Sequence, residues 1–525
     1  MQPAIDRVVA TSIVNPIILL FSIIIFFLEW LPKAFFTNAF KTKNVRINLN
    51  IRNLNTRKLI LNFDLMSLSK KNKQIPFKEY STPQKLLVKA INEKGQGIAY
   101  LDEYEIYLEG VVPKDEVEVI VKPPFANGSK RRPATIVRFL SYSSLRGDNP
   151  LDIKNSSVYA YGNLAYDKTL VFKKDNIQKA LAKANIKKTV VEDVVAADLK
   201  AVCRSKSIRY FAKQNQKIIN GFYKPLSHEV EKVTFSSLEP QWFSEFANSL
   251  CELFTKLDLS VYDECLKQGF LRNLLLRDTK EGRLCVLTGT DKLPLQVEKS
   301  YKELCKEYKL DAIYYNLNPA TGNQVLNGTL TCLSDKKQIN LNLCGFNYLA
   351  GPNTFLQVNY PVATKLYQRA IEHCGTDKNG YALDLCCGVG TMTLPLSRNF
   401  KQVKGIEIVE ASIEAAKINA QNNQVFNVSF EVNDVKTCLD KELLDNNLKA
   451  IICDPARVGI GNEACKSLCK VKSGVKLSYI FCSLTALSRD LKYLTEHGFR
   501  LDKVIGFDMF PFSSHVETLC LLTKE

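Results

Sequence analysis

Residues 381–390, YALDLCCGVG, read as an apolar strand that runs straight into a glycine turn. The same pattern recurs down to the C-terminus. VKGIEIV (403–409) is a strand reaching Glu407, and EASIEAAKINAQNN (410–423) is a helix. VSFEVND (428–434) is a strand ending at Asp434, LKAIICDPA (448–456) one ending at Asp454, and KLSYIFC (476–482) one ending at Cys482. LTALSRDLKYLTEHG (484–498) is a helix stopped by Gly498. Two further strands, in 499–510 and 515–523, close the chain. Strands alternating with helices predict an α/β fold, a doubly wound and mainly parallel Rossmann-like sheet over residues 345–525.

In such sheets ligands bind beyond the carboxyl ends of the strands. The turn carrying Gly388 and Gly390, then Glu407, Asp434, Asp454 and Cys482, all fall at those ends. Glu407 lies 23 positions after Asp384, a spacing suited to a carboxylate on ribose hydroxyls. That leaves a dinucleotide or S-adenosylmethionine as cofactor. GxGxxG needs a third glycine, and Leu394 and Pro395 stand near its place. A sulfonium also tolerates neighbouring carboxylates better than a diphosphate does, so the spacing favours methyl transfer.

Cys482, at a strand–helix junction, reads either as a small buried hydrophobe or as a nucleophile. The 16 cysteines start only at Cys203 and form no CxxC pair, and the four histidines are far apart. This excludes a disulfide-stapled secreted class and predicts no zinc site and a reducing compartment.

The 525 residues need several domains. Of the net charge of +17, residues 1–80 and 81–344 carry +8 each and residues 345–525 only +1. The middle of the chain is therefore the candidate polyanion-binding part. Residues 81–142 hold short β-rich runs with turns at Gly95, Gly97 and Pro113, which predict a small OB-like β-barrel followed by the basic turn Lys130-Arg131-Arg132. Residues 143–344 mix helix and strand patterns and are expected to form a central α+β domain. DKTLVFKKDNIQKALAKANI (167–186) reads as an amphipathic helix there, and VCRSKSIRYF (202–211) as a strand with a basic face or equally as a solvated edge. Residues 1–80 form an N-terminal extension. Its apolar run, 13–31, followed by lysines, reads either as a membrane anchor facing the cytoplasm or as text before the true start at Met66, which leaves a cytoplasmic protein; the second reading is preferred.

Taken together, FLQVN (355–359), LDLCCGVGTMTLPLS (383–397), GIEIVEASIEAAKINAQNN (405–423), DPARVG (454–459), the Cys482 segment and DMFPFSSHVETLCLL (508–522) resemble the RNA uracil-5 methyltransferases, which make 5-methyluridine. The resemblance runs from about Leu86 to the end. It implies a TRAM domain, an RNA-binding barrel, at about 86–140. With Ala456 in DPARVG, it points to 23S ribosomal RNA as the substrate, transfer RNA being the alternative, and to a monomer.

The resemblance implies that Cys482 adds to carbon 6 of uracil, turning carbon 5 into an enolate carbon, and that Glu517 removes the carbon-5 proton so that the thiolate can leave. It also aligns Gln357, Cys386, Thr391, Glu407, Asp434 and Asp454 with S-adenosylmethionine-binding positions. This chain departs from the family at Phe481, Ser483 and Leu484, around the nucleophile, and at Cys386, where relatives carry an aromatic. Those changes leave open a relative that binds RNA as a chaperone or assembly factor. The family's iron–sulfur ligands fall at Ser156, Tyr159 and near Phe235, which predicts no such cluster, with Tyr159, Tyr161 and Tyr166 packing in its place.

Overall fold

Seven strands of the C-terminal part form one sheet in the computed structural model: β1 (Asp377–Leu385), β2 (Phe400–Glu407), β3 (Val428–Val432), β4 (Leu448–Cys453), β5 (Lys476–Phe481), β6 (Phe499–Phe507) and β7 (Glu517–Lys524). The structure describes residues 77–148 and 158–525, apart from 188, 225, 226, 323, 438–442 and 444. Residues 13–31, Met66 and Ser156 lie outside them. Among the described residues no helix is long and apolar enough to cross a membrane.

The sheet order is β3-β2-β1-β4-β5-β7-β6. All pairings are parallel except those of β7, which runs antiparallel to both β5 and β6. The strand order reverses between β1 and β4, so the crevice for a ligand opens beyond Leu385 and Cys453. Ala450, Ile451, Ile452 and Cys453 are fully buried, as a central parallel strand covered on both faces requires. Helices Tyr360–Cys374, Glu410–Asn422 and Leu484–Glu496 help cover the two faces. The first is capped by Asn359, whose side chain accepts from the Val362 N–H, and the last by Ser483, which accepts from the Ala486 N–H. The β3 strand stops at Val432, so Asp434 stands two residues beyond the strand rather than at its end.

A segment expected in the central domain packs on this sheet instead. Helix Tyr166–Lys183 buries Ile177 and Leu181 in the same core as Leu477 and Leu487. Val191 and Val195 then form parallel bridges to Val504 and Phe507. The edge strand β6 thereby gains a partner, which satisfies backbone groups that an edge leaves open.

Residues 84–141 form a six-stranded sheet, in the order Gln84–Leu87, Glu116–Val121, Arg131–Ser141, Tyr104–Leu108, Gly97–Leu101, Ala90–Ile91. The Lys89 N–H donates to Ile98 O at 2.8 Å, which links the first and last parts of the sheet into a barrel-like body. Phe77 and Tyr80 pack on its core, so this body starts before residue 81. Of the basic turn, Lys130 and Arg131 are exposed, whereas Arg132 is buried, donates to Lys78 O and Lys122 O, and lies over Phe77, Tyr80 and Tyr104.

The central sheet uses strands between Lys206 and Cys332, with helices Gln241–Lys256 and Leu295–Glu307. Here the expected basic outer face of strand Lys206–Gln214 is corrected. Arg209 points inward and pairs with buried Glu239, which also accepts from Ser207 Oγ at 2.9 Å. Arg272 and Arg277 are buried too. Part of the positive surplus of residues 81–344 is therefore internal and not available to a polyanion. The hairpin Ile339–Leu343/Phe346–Ala350 straddles the expected boundary at 344/345, turning at Cys344 and Gly345 with φ of 52° and 75°. Tyr159 and Tyr161 are buried, and the Tyr159 hydroxyl bonds Ser236 Oγ at 3.2 Å; Tyr166 is partly buried.

Candidate active site

The residues at the strand ends are assembled by the sheet itself. After Leu385 the chain turns at Cys386, φ 62°, and passes through Gly388 and Gly390, φ 54° and 86°. The left-handed values explain the two glycines, because a Cβ is strained there. Cys386, a side chain in the same region, bears that strain. Glu407 at the end of β2 reaches over this loop. One carboxylate oxygen accepts from the Gly388 N–H at 3.2 Å and the other from the Val409 N–H at 3.0 Å. Glu407 O accepts from the Asn433 N–H at 3.0 Å, which brings Asp434 alongside. Asp434 uses one carboxylate oxygen to accept from the Lys436 N–H at 2.9 Å. The Thr391 hydroxyl bonds Tyr367, and its carbonyl accepts from the Tyr348 hydroxyl at 3.4 Å, so it faces the packing behind the loop.

Buried Gln357 hydrogen-bonds the Asp454 carboxyl, just past the end of β4. Burial pushes the Asp454 carboxyl up to about 7, and the Gln357 bond opposes that rise. Asp384, inside β1, is fully buried and accepts from Thr393 Oγ1 at 2.6 Å, while its Oδ1 has no partner among the described residues. Burial likewise raises it to about 7, the Thr393 bond opposing, with Asp454 and Glu407 adding to the rise.

The antiparallel pair at the other end of the site decides the geometry of Cys482 and Glu517. Phe481 pairs with Thr518 in the β5–β7 ladder, so the next register step sets Cys482 opposite Glu517, with side chains on one face. Glu517 also pairs with Phe507 of β6 and is buried, and its Oε2 has no partner among the described residues. Burial raises Glu517 to about 8, Asp454 raising it further and Arg457 opposing. Burial raises the Cys482 thiol to about 11, with Glu517 and Asp454 adding and Arg457 opposing. Cys482 is only partly buried and faces a cleft of about 620 Å³. The walls of that cleft are the 93–96 turn of the barrel, helix Tyr166–Lys183 and residues 513–516. Lys94, Lys183 and Arg457 line it, and their charged groups make no hydrogen bond or ion pair among the described residues.

The structure thus gathers Gln357, Cys386, Gly388, Gly390, Glu407, Asp434, Asp454, Cys482 and Glu517 along one edge of the sheet. Three further residues bear on the site that the sequence patterns do not single out. Asp384 marks only the opening of the turn in sequence, although a lone acid in an apolar strand is itself a signal. Asn419, on helix Glu410–Asn422, donates to Val389 O and accepts from the Leu349 N–H, both at 3.0 Å, and so braces the loop. Arg457 stands in DPARVG but gains its place beside Cys482 only by folding.

The loop fits an adenosyl cofactor. Its backbone is opened by two glycines, a fixed carboxylate at Glu407 suits ribose hydroxyls, and the buried carboxyls of Asp384 and Asp454 near the strand ends are compatible with a sulfonium.

A family model described as tRNA (Uracil-5-)-methyltransferase matches residues 333–525. An uncharacterized RNA methyltransferase of Clostridium tetani is 30% identical over 459 residues, 86% of this chain and 98% of the relative. One from Fusobacterium nucleatum is 28% identical over 444 residues, 82% of this chain and 93% of the relative. Among solved structures, the fold is similar to Pyrococcus abyssi tRNA (uracil-54, C5)-methyltransferase in complex with S-adenosyl-L-homocysteine: TM-score 0.66, 24% identity, covering 84% of this chain and all of that one. The chain belongs to the RNA uracil-5 methyltransferase family and is an RNA methyltransferase that uses S-adenosylmethionine.

Proposed function

We propose that the chain methylates carbon 5 of a uridine in RNA, with ribosomal RNA preferred over transfer RNA, through a covalent adduct between Cys482 and the uracil ring. The observation that carries this reading is the β5–β7 register, which runs Cys482, partly exposed at the wall of the cleft, opposite the buried carboxyl of Glu517. Cys482 gives up its proton to water and adds as the thiolate to carbon 6, and the π electrons move towards oxygen 4. S-adenosylmethionine supplies an electrophilic methyl group for carbon 5. Glu517 then takes the carbon-5 proton, the double bond reforms and the thiolate leaves. A carboxyl raised to about 8 is a far stronger base than an ordinary glutamate and is tuned close to neutral operating pH. Gln357, Glu407, Asp434 and Asp454, with the turn of Cys386, Gly388 and Gly390, would hold the cofactor, while Thr391 braces the loop from behind. Lys94, Lys183 and Arg457 meet the phosphates of the strand that brings the uridine in. The barrel-like body over residues 81–142 acts as the TRAM platform, offering exposed Tyr100 and Phe125 on the part of the body that carries Lys130 and Arg131, and exposed Tyr142 past the other end of strand Arg131–Ser141.

RNA carrying 5-fluorouracil, incubated with S-adenosylmethionine, tests the reading. Fluorine cannot leave as a proton, so a protein–RNA adduct should accumulate. It should vanish in Cys482→Ala, while Glu517→Gln should trap ordinary RNA. An adduct that persists in Cys482→Ala refutes the assignment. Mapping 5-methyluridine in ribosomal and transfer RNA of a deletion strain identifies the substrate class.

A further inference from the structure

We propose that Lys173 is a positioning residue for Glu517 and acts through Asp508. The inference rests on the reading of Glu517 as the base. Lys173 lies on helix Tyr166–Lys183, and its side chain and that of Asp508 are both completely buried. Its ammonium bonds an Asp508 carboxylate oxygen and donates to Phe510 O at 2.9 Å. The other Asp508 oxygen accepts from the Tyr166 hydroxyl at 2.7 Å, and the Asp508 N–H donates to Val195 O at 2.9 Å. Asp508 directly follows Phe507, the ladder partner of Glu517. The pair therefore clamps the end of the ladder at which Glu517 stands as first residue of its strand.

The clamp continues along the connection. Phe512, held at φ 59°, accepts through its carbonyl from the Tyr161 N–H at 2.7 Å. Ser514 Oγ donates to Glu93 O at 2.6 Å. Residues 513–516 then line the cleft and lead into Glu517. A strand terminus is where a ladder frays first, and a general base displaced by about 1 Å loses much of its effect. A buried ammonium satisfied by one carboxylate and one carbonyl has one favourable arrangement, so it converts helix packing into a fixed position for the ladder end.

A merely structural ion pair and a positioning one differ in how the covalent adduct partitions. Removing Lys173 alone strands a buried carboxylate, so the test uses Lys173→Met with Asp508→Asn, which removes both charges together. With ordinary RNA and S-adenosylmethionine, the double variant should form adduct but release it slowly. We expect adduct at least tenfold above wild type, kcat about tenfold lower, and KM for S-adenosylmethionine within twofold. Wild-type partition in a folded double variant overturns the proposal, as does an equal loss of adduct formation and release. Should the double variant not fold, Tyr166→Phe removes one bond to Asp508 and should raise adduct about two- to threefold; an unchanged level there also overturns it. A wild-type control with 5-fluorouracil RNA separates the two readings: if no Cys482-dependent adduct forms, the covalent reading itself has failed and this inference falls with it.

Discussion

Glu517→Gln should change stability in a way that depends on pH and has a calculable sign. Glu517 is buried in the folded protein and raised to about 8 against an ordinary value of 4.5. The folded state therefore binds this proton more tightly than the unfolded chain. Its contribution is fully present below the unfolded value and is lost as pH rises through the folded one. Each pKa unit corresponds to about 1.4 kcal/mol, so the wild-type penalty is below about 1 kcal/mol at pH 5, about 3 kcal/mol at pH 7 and about 5 kcal/mol above pH 9. Glutamine keeps the shape but cannot ionise. The variant should match wild type near pH 5, apart from a constant offset, and become progressively more stable as pH rises. Asp384 and Asp454 ionise in both proteins, and their contributions largely cancel in the difference. The assay is thermal and urea unfolding of both proteins from pH 5 to 9 without cofactor or RNA. A difference in Tm that stays flat over this range means that Glu517 is solvated, and the burial argument fails.

Three further outcomes are expected. Glu407→Gln removes the charge held over the loop by the Gly388 and Val409 N–H groups, and should raise the Kd for S-adenosylmethionine about tenfold or more in calorimetry with RNA affinity unchanged. Replacing Lys130 and Arg131 together by glutamine should lower the slope of log affinity against log salt by about 0.7 to 0.9 for each lost phosphate contact, whereas an unchanged slope places the RNA elsewhere. Gly95→Ala should weaken seating of the barrel turn against the cleft, because the added Cβ would lie 2.2 Å from Ala160 O at a φ of 81°; a proteolysis rate between residues 142 and 166 equal to wild type would contradict this.

The catalytic sheet was legible because its strands are continuous apolar runs with a polar or glycine residue at each carboxyl end. Local pattern alone placed Gly388, Gly390, Glu407, Asp454 and Cys482 at strand ends, and backbone geometry then brings those ends to one edge. Two kinds of information were not local. Side-chain direction in the central domain was one: Arg209 looks like a surface cation in sequence, but Glu239, thirty residues on, compensates it inside the core. Membership of a packed unit was the other: helix Tyr166–Lys183 lies far before the catalytic strands in sequence yet covers them, and Lys173 meets Asp508 across 335 positions. By itself the sequence determined the α/β fold, the acidic strand ends and the candidate thiol. Only the tertiary structure decided the step of register that sets Cys482 opposite Glu517, the burial that raises Glu517, and the clamp behind it, because pairing, desolvation and long-range ion pairs exist only once distant segments share one interior.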